Sequence, residues 1–188
     1  MCDRNVGSGT GGTDYSSMPP ARCIGIVIPI PDPLAGRLEE WRASFGDPMA
    51  AVVPPHITLI TTTPAWDWTA VMDHVREAAS HQEEFKVTLR GTGTFRPMSP
   101  VVYINVTDGF DACVGMHQRL QTGPLARELD FPYHPHVTVA HDVSEASMDT
   151  ALQRLVDFEE SFPVRSMGLF EHEAGGLWTP REELTFGR

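Results

Sequence analysis

The sequence contains the same short pattern twice, a proline and a histidine followed two residues later by a threonine within an apolar run. The first copy supplies His56 and Thr58, and the second supplies His136 and Thr138. In a β-strand, side chains two residues apart lie on the same face. Each strand would therefore present one histidine and one threonine on a polar face while its aliphatic side chains face the core.

These residue types suit chemistry at phosphorus. Of two imidazoles flanking a substrate, a neutral one can act as general base and a protonated one as general acid. Two hydroxyls can donate hydrogen bonds to the non-bridging oxygens of a phosphate as negative charge builds there. A single His-x-Thr pattern in a strand is usually structural. Two copies in matched positions favour a shared cleft that supports in-line displacement at phosphorus without a metal ion.

The elements that would position these residues follow one order twice: strand, helix, strand, helix, strand. We predict strands at 23–29, 56–60 and 85–89, and again at 101–106, 136–140 and 164–170, with a Gly-Gly turn and a final strand near the C-terminus. Asp32, Asp67 and Asp108 are predicted helix caps. Three landmark matches, with offsets of 77, 80 and 77 residues, indicate two similar lobes: Ile24 with Val101, His56 with His136, and Phe85 with Phe162. The pattern alone also allows a parallel α/β sheet.

Composition narrows the class of protein and its partners. The chain has 188 residues and a formal net charge of −11, and Lys86 is its only lysine. Such an acidic chain is poorly suited to hold long nucleic acid through its phosphates, or to bind an anionic membrane. Three cysteines without metal-type spacing predict a reducing compartment and no disulfide framework. Residues 1–20 lack the apolar core of a signal peptide, and we predict a flexible tail and a cytoplasmic protein.

The paired motifs resemble those of the 2H phosphoesterase superfamily, which is named for two His-x-Thr/Ser motifs in two related lobes. The most similar group is the bacterial 2′-5′ RNA ligase and RNA 2′,3′-cyclic phosphodiesterase proteins, and the resemblance covers the predicted domain at 21–188. It implies an α+β fold with two lobes of antiparallel sheet around a central cleft and helices outside. It also implies hydrolysis or transesterification at 2′,3′-cyclic phosphates or 2′-5′ linkages of small nucleotides or RNA ends. His56 and His136 would be catalytic, Thr58 and Thr138 would bind substrate, and no cofactor or protein partner is expected, the protein acting as a monomer.

Other candidate residues differ in how closely they match this family. His141 stands where the family commonly has a phosphate-contacting arginine, five residues after the second motif histidine. It would bind phosphate or lie on the exposed surface. Arg96, in a turn between strands, could reach an anionic ligand. Tyr103 and Tyr133 could stack on a base, with core packing and loop anchoring as the respective alternatives.

Two other functions remain open from the sequence. His134, His136 and His141 could form the metal site of a hydrolase, although a partnered carboxylate is missing. The protein could also be a nucleotide-binding module without turnover. Trp178 is assigned to packing.

Overall fold

The backbone forms one eight-stranded antiparallel sheet with four α-helices, in a computed structural model that describes residues 22–172 and 178–187. The strands are β1 (Arg22–Pro29), β2 (His56–Ala65), β3 (Phe85–Thr94), β4 (Val101–Val106), β5 (His136–His141), β6 (Glu159–Val164), β7 (Ser166–His172) and β8 (Trp178–Thr185). The helices are α1 (Leu34–Phe45), α2 (Trp68–Ser80), α3 (Phe110–Leu120) and α4 (Glu145–Arg154). The predicted tail at 1–20 and the Gly-Gly turn lie outside the described residues.

The sheet is divided into two halves that share a central seam. Its strand order is β6-β3-β4-β5-β2-β1-β7-β8, and every pairing is antiparallel. The halves join where β2 meets β5, through the single residue pair Ile57 and Val137. This arrangement confirms the α+β, two-lobed prediction, and the parallel α/β alternative is wrong. The two lobes share one continuous sheet.

The third strand of each predicted repeat lies in the other half of the sheet. β3 follows α2 in the chain but pairs with β4 and β6, and β7 returns to pair with β1. Phe162 of β6 lies opposite Val87 of β3. Phe85 and Phe162, which the sequence matched as equivalent positions of two repeats, therefore lie on neighbouring strands of the same half. They are not equivalent positions in the two halves.

The helices cover one face of the sheet and cross the central seam. α1 packs on β5 and α4, and α3 packs on β2 and α2. Their contacts bury the aliphatic side of the seam strands, so that Ile57, Leu59, Val137 and Val139 are at most 1% exposed. The opposite face of the seam is left for the cleft. No helix among the described residues is long and apolar enough to cross a membrane.

Local signals explain where these helices begin and end. The Asp67 carboxylate accepts a hydrogen bond from the Ala70 backbone N–H at 3.0 Å and caps α2, which confirms that prediction. The other two predicted aspartate caps are wrong. Pro33 occupies the N-cap position of α1, one residue after Asp32, and a glycine occupies that position after Asp108. In both helices the N-cap is therefore the residue that follows the expected aspartate.

The cysteines depart from their prediction at one position. Cys113 on α3 is a free, buried thiol, and burial raises its pKa to about 12. Cys23 on β1 is disulfide-bonded. The disulfide goes against the expectation drawn from the small, odd number of cysteines.

Candidate active site

The two His-x-Thr motifs meet at the seam of the sheet. Ile57 lies directly opposite Val137, and both side chains are fully buried against the helices. Because side chains alternate along a strand, the residues on either side of this pair point to the other face. These flanking residues are the four half-buried motif side chains His56, Thr58, His136 and Thr138.

The antiparallel register places the motifs crosswise. With Ile57 opposite Val137, His56 faces Thr138 and Thr58 faces His136. Facing side chains on one side of an antiparallel pair have Cβ atoms about 4.5–5.5 Å apart, and diagonal neighbours about 7–8 Å apart. The two imidazoles are the diagonal pair. They therefore flank a space suited to a tetrahedral phosphate, with a hydroxyl beside each ring.

Both histidines are held by the same type of hydrogen bond. His56 Nδ1 lies 2.8 Å from the Pro54 carbonyl oxygen, and His136 Nδ1 lies 2.7 Å from the His134 carbonyl oxygen. A carbonyl can only accept, so each Nδ1 carries the hydrogen. In the neutral ring, Nε2 is then the basic nitrogen. The matched bonds give both imidazoles the tautomer in which Nε2 can exchange a proton with a substrate.

Burial tunes both imidazoles toward the neutral form. It lowers the pKa of His56, and the nearby Arg42 charge lowers this pKa further against the opposing effect of the Pro54 carbonyl. Burial also lowers the pKa of His136, with smaller contributions from the charges of His134 and His56. The His56 charge acts on His136, so protonation of one ring disfavours protonation of the other. This coupling disfavours the state in which both rings are protonated.

Matched bulges in the seam strands turn a further residue toward the cleft. In β2 the register against β1 shifts just after Thr58, and in β5 the register against β4 shifts just after Thr138. An extra residue in one strand reverses which side chains share a face. Thr61 and His141, each five residues after a motif histidine, therefore lie on the cleft face. Thr61 lines the cleft pocket.

The first half of the cleft holds an open, mainly apolar pocket of about 280 Å³ beside His56. Two aromatic side chains, Phe170 of β7 and Trp178 of β8, form part of its lining. Gly25 of β1 makes room for the indole, because a Cβ atom there would lie 2.5 Å from Trp178 Cζ3. Sequence reasoning missed this role of Trp178. Gly25, the only small residue in the run Ile24–Ile28, was the available signal.

Aromatic rings pack beside the second motif. The centroid of the Tyr103 ring lies 4.4 Å from that of Phe95 and 5.1 Å from that of His136. Tyr103 is 8% exposed and pairs with Thr138 across the β4–β5 ladder. Tyr103 is therefore packed against the second motif, and its stacking on a base stays a prediction.

A family model supports the assignment that this geometry suggests. Residues 30–176 match the model described as the 2′-5′ RNA ligase superfamily. The chain belongs to this superfamily. The match confirms the resemblance to 2H phosphoesterases. A protein of Bacillus cereus (strain B4264), named "Putative phosphoesterase", is 28% identical over 169 residues, which cover 88% of this chain and 97% of the relative. A similarly named protein of Bacillus mycoides (strain KBAB4) is 27% identical over the same shares.

Solved structures show the same fold at lower identity. Escherichia coli LigT complexed with 3′-AMP has a TM-score of 0.68 at 20% identity, and covers 90% of this chain and 100% of its own. LigT complexed with NADP+ gives a TM-score of 0.68 at 22% identity with the same coverage. The TT0787 protein of Thermus thermophilus gives 0.64 at 20% identity, over 88% of this chain and 99% of its own. These likenesses establish the architecture of the superfamily for this chain.

Two other sequence-predicted binding residues, Arg96 and His141, lie differently with respect to the cleft. The Arg96 guanidinium is bound by two carboxylates of α4, at 2.6 Å from Glu145 and 2.8 Å from Asp149. These carboxylates pair its donors on the helix layer, and its expected role in substrate binding stays a prediction. His141 lies on the cleft face at the end of β5. Its side chain is 48% exposed, with Nε2 3.6 Å from an Asp142 carboxylate oxygen.

The described residues supply no set of ligands for the alternative metal site. Within the described residues, no three His, Cys, Asp or Glu side chains are grouped so that they could hold a metal ion. The His134 ring instead packs 5.3 Å from Tyr103 and 6.0 Å from Phe110, measured between centroids, and its Nδ1 is buried without a hydrogen-bond partner. His134 therefore contributes its carbonyl to the site, where it holds His136.

A support behind β2 holds the first His-x-Thr motif in place. The Tyr133 hydroxyl donates a hydrogen bond to the Thr58 carbonyl at 2.9 Å, and His117 Nδ1 lies 2.8 Å from the Leu59 carbonyl. The two rings stack with centroids 4.0 Å apart and planes 6° apart. These carbonyls lie at the bulge, where the strand ladder is disrupted. The loop-anchoring alternative for Tyr133 is confirmed.

Proposed function

We propose that this protein is a cofactor-independent phosphodiesterase that hydrolyses 2′,3′-cyclic phosphates or 2′-5′ linkages of small nucleotides or RNA ends. The observation that carries the proposal is the crosswise placement of two His-x-Thr motifs on one face of the seam. It supplies two coupled imidazoles and two hydroxyls around a space of phosphate size.

In the proposed reaction the phosphate lies between the two histidines. The hydroxyls of Thr58 and Thr138 donate hydrogen bonds to its non-bridging oxygens, and these bonds strengthen as negative charge builds in the transition state. One neutral imidazole accepts a proton from water at Nε2 while the water oxygen forms a bond to phosphorus. The other imidazole gives its Nε2 proton to the leaving oxygen as the P–O bond breaks. After turnover, the two rings have exchanged protonation states.

The open pocket supports an assignment of these two roles. Its mainly apolar lining, with Trp178 and Phe170, suits a nucleobase, and base stacking on aromatic side chains is worth about 1–3 kcal/mol. With the base in this pocket, the ribose oxygen that leaves phosphorus lies on the His56 side. We therefore assign His56 as the general acid and His136 as the general base.

The superfamily relatives support a nucleotide as the ligand class. Structures of LigT are described with 3′-AMP, with ATP and with NADP+. All three ligands combine a phosphate with a nucleobase. We propose the same class of ligand for this chain, held by one phosphate at the motifs and one base in the pocket.

The test is a substrate panel with purified protein: nucleoside 2′,3′-cyclic phosphates, 2′-5′ dinucleotides and oligonucleotides ending in a cyclic phosphate. His56→Ala and His136→Ala should each lower kcat by about 10²–10⁴-fold. The double variant should be little worse than the more damaging single one, because paired catalytic groups are not additive. His81→Ala, at an exposed histidine that ends α2, is the matched control and should leave kcat unchanged.

Two results would contradict the proposal. Near-normal turnover in either motif variant would rule out a shared acid–base cleft. Tight nucleotide binding without turnover of any substrate in the panel would instead identify a nucleotide-binding module.

A further inference from the structure

A buried ion pair anchors the loop that leads into the first motif. Arg42, in the last turn of α1, donates a hydrogen bond from Nε to the Asp47 carboxylate at 3.0 Å. The Arg42 and Asp47 side chains are 6% and 0% exposed. No other ion pair between described residues has both side chains below 10% exposure.

The same guanidinium reaches the end of the loop. Arg42 Nη1 donates to the Val53 carbonyl, while the other Asp47 oxygen accepts from the Met49 backbone N–H at 2.8 Å. Asp47 thus fixes the start of the loop and orients the guanidinium, and the guanidinium fixes its end. A planar guanidinium can make both bonds at once because its donors point in fixed, divergent directions.

The fixed end of the loop is the segment that holds His56. Val53 is bonded to Pro54, whose carbonyl accepts the hydrogen bond from His56 Nδ1. On the other side, the Pro55 carbonyl accepts from the Ile30 backbone N–H at 3.3 Å. The orientation of the Pro54 carbonyl is therefore set by Arg42 before it and by Ile30, the residue that follows β1, after it.

We propose that Arg42 is a positioning residue for His56: it fixes the Val53–Pro54 segment so that the Pro54 carbonyl keeps His56 in the tautomer with Nε2 toward the cleft. The role of Arg42 in holding the ring follows from these contacts, and only its effect on turnover rests on the proposed function. His136 has no equivalent, because no buried ion pair between described residues lies before it. The two histidines thus depend on different supports.

The decisive measurement is the tautomer of His56, read from the ¹⁵N chemical shifts of its imidazole nitrogens at a pH where the ring is neutral. In the unsubstituted protein, Nδ1 should carry the hydrogen. In Arg42→Met a second tautomer of His56 should appear, while the His136 signals in the same spectrum stay unchanged. Arg37→Met is the matched control, because Arg37 lies on the same helix and pairs with Glu160 at an exposed site.

Turnover supplies the second readout. Arg42→Met should lower kcat by up to about 10²-fold, the loss expected for a catalytic group displaced by about 1 Å. Because the phosphate donors remain, KM should change much less than kcat. Arg42→Lys keeps the charge but loses the fork that bridges Asp47 and Val53. It should show the same second tautomer, and it decides the question if Arg42→Met does not fold.

An unchanged His56 tautomer in folded Arg42→Met, or in Arg42→Lys if only that variant folds, would overturn the proposal. So would full recovery of the tautomer and of kcat in Arg42→Lys, which would assign the effect to charge alone. The tautomer is measured without substrate. A protein that hydrolyses nothing in the panel, yet shows the His56 change, would therefore contradict the proposed function and support the positioning role.

Discussion

Removing the Tyr133 hydroxyl should loosen the first motif while leaving the rest of the cleft in place. In Tyr133→Phe, the Thr58 carbonyl loses the 2.9 Å hydrogen bond that it receives at the bulge of β2. The stack of the ring on His117 is retained, since phenylalanine has the same shape. Burial raises the pKa of Tyr133, so the hydroxyl donates across the whole range of an ordinary assay.

The expected loss of stability can be worked from this contact. Leaving a buried acceptor without its partner costs about 1–3 kcal/mol. The bond is only partly buried, so the lower part of this range applies, about 1–2 kcal/mol. For a chain of this size, each 1 kcal/mol lowers Tm by about 2–4 °C. Tyr133→Phe should therefore lower Tm by about 2–8 °C and raise KM, because Thr58 contacts the phosphate in the proposed complex.

The assay combines thermal unfolding with steady-state kinetics on the best substrate of the panel. Tyr103→Phe is the control, because its hydroxyl has no hydrogen-bond partner among the described residues although its ring lies in the same cleft. That variant should keep its Tm. Equal Tm values for Tyr133→Phe and the unsubstituted protein would refute the view that this hydroxyl stabilises the bulge.

Three further predictions concern pH, metal and salt. The rate should follow a bell-shaped pH profile with both limbs displaced below the ordinary histidine value of about 6.5, since burial lowers the pKa of His56 and His136. Because these two histidines have their ordinary pKa in the unfolded chain, they bind protons there at a higher pH than in the folded protein. The free energy of unfolding should therefore fall as pH drops below about 6.5. Limbs on the alkaline side of that value would contradict this account. Dialysis against a chelator should leave the rate unchanged, because no proposed step uses a metal ion, and loss of activity that returns with added metal would oppose it. Because the net charge is −11, kcat/KM for a long RNA should be no higher than kcat/KM for a cyclic-phosphate mononucleotide. The slope of log kcat/KM for the long RNA against log salt should correspond to about one or two phosphate contacts. A steep slope would indicate a basic surface that the sequence does not show.

The parts of the site that the sequence predicts are those governed by strand periodicity. The alternation around Ile57 and Val137 places a histidine and a threonine on one face of each strand, and this holds for any order of the other strands in the sheet. Duplication then indicates that the two faces meet. Gly46 follows the last residue of α1 with a φ of 86°, which glycine adopts without strain, so a glycine at this position is a local signal for the end of the helix.

The parts that the sequence does not predict depend on contacts between distant segments. The partners of Arg96 lie about fifty residues further along the chain, and only the packing of α4 shows that its donors are paired. The pocket requires Trp178 to lie over Gly25, and these residues become neighbours only because β7 and β8 extend the first half of the sheet. Strand partners at such separations are not encoded in local periodicity.

The third strand of each predicted repeat, β3 or β7, lies in the other half of the sheet, and this affects how the chain folds during synthesis. β1 pairs with β7, so Cys23 meets His172 across the ladder. The half of the sheet that carries His56 therefore stays incomplete until β7 and β8 have left the ribosome, and one edge of β1 remains unpaired until β7 arrives. Unpaired edges recruit other strands, and long-range pairing is slow. We expect newly made chains to depend on chaperones until the C-terminal strands arrive, and proteins truncated before β7 to aggregate.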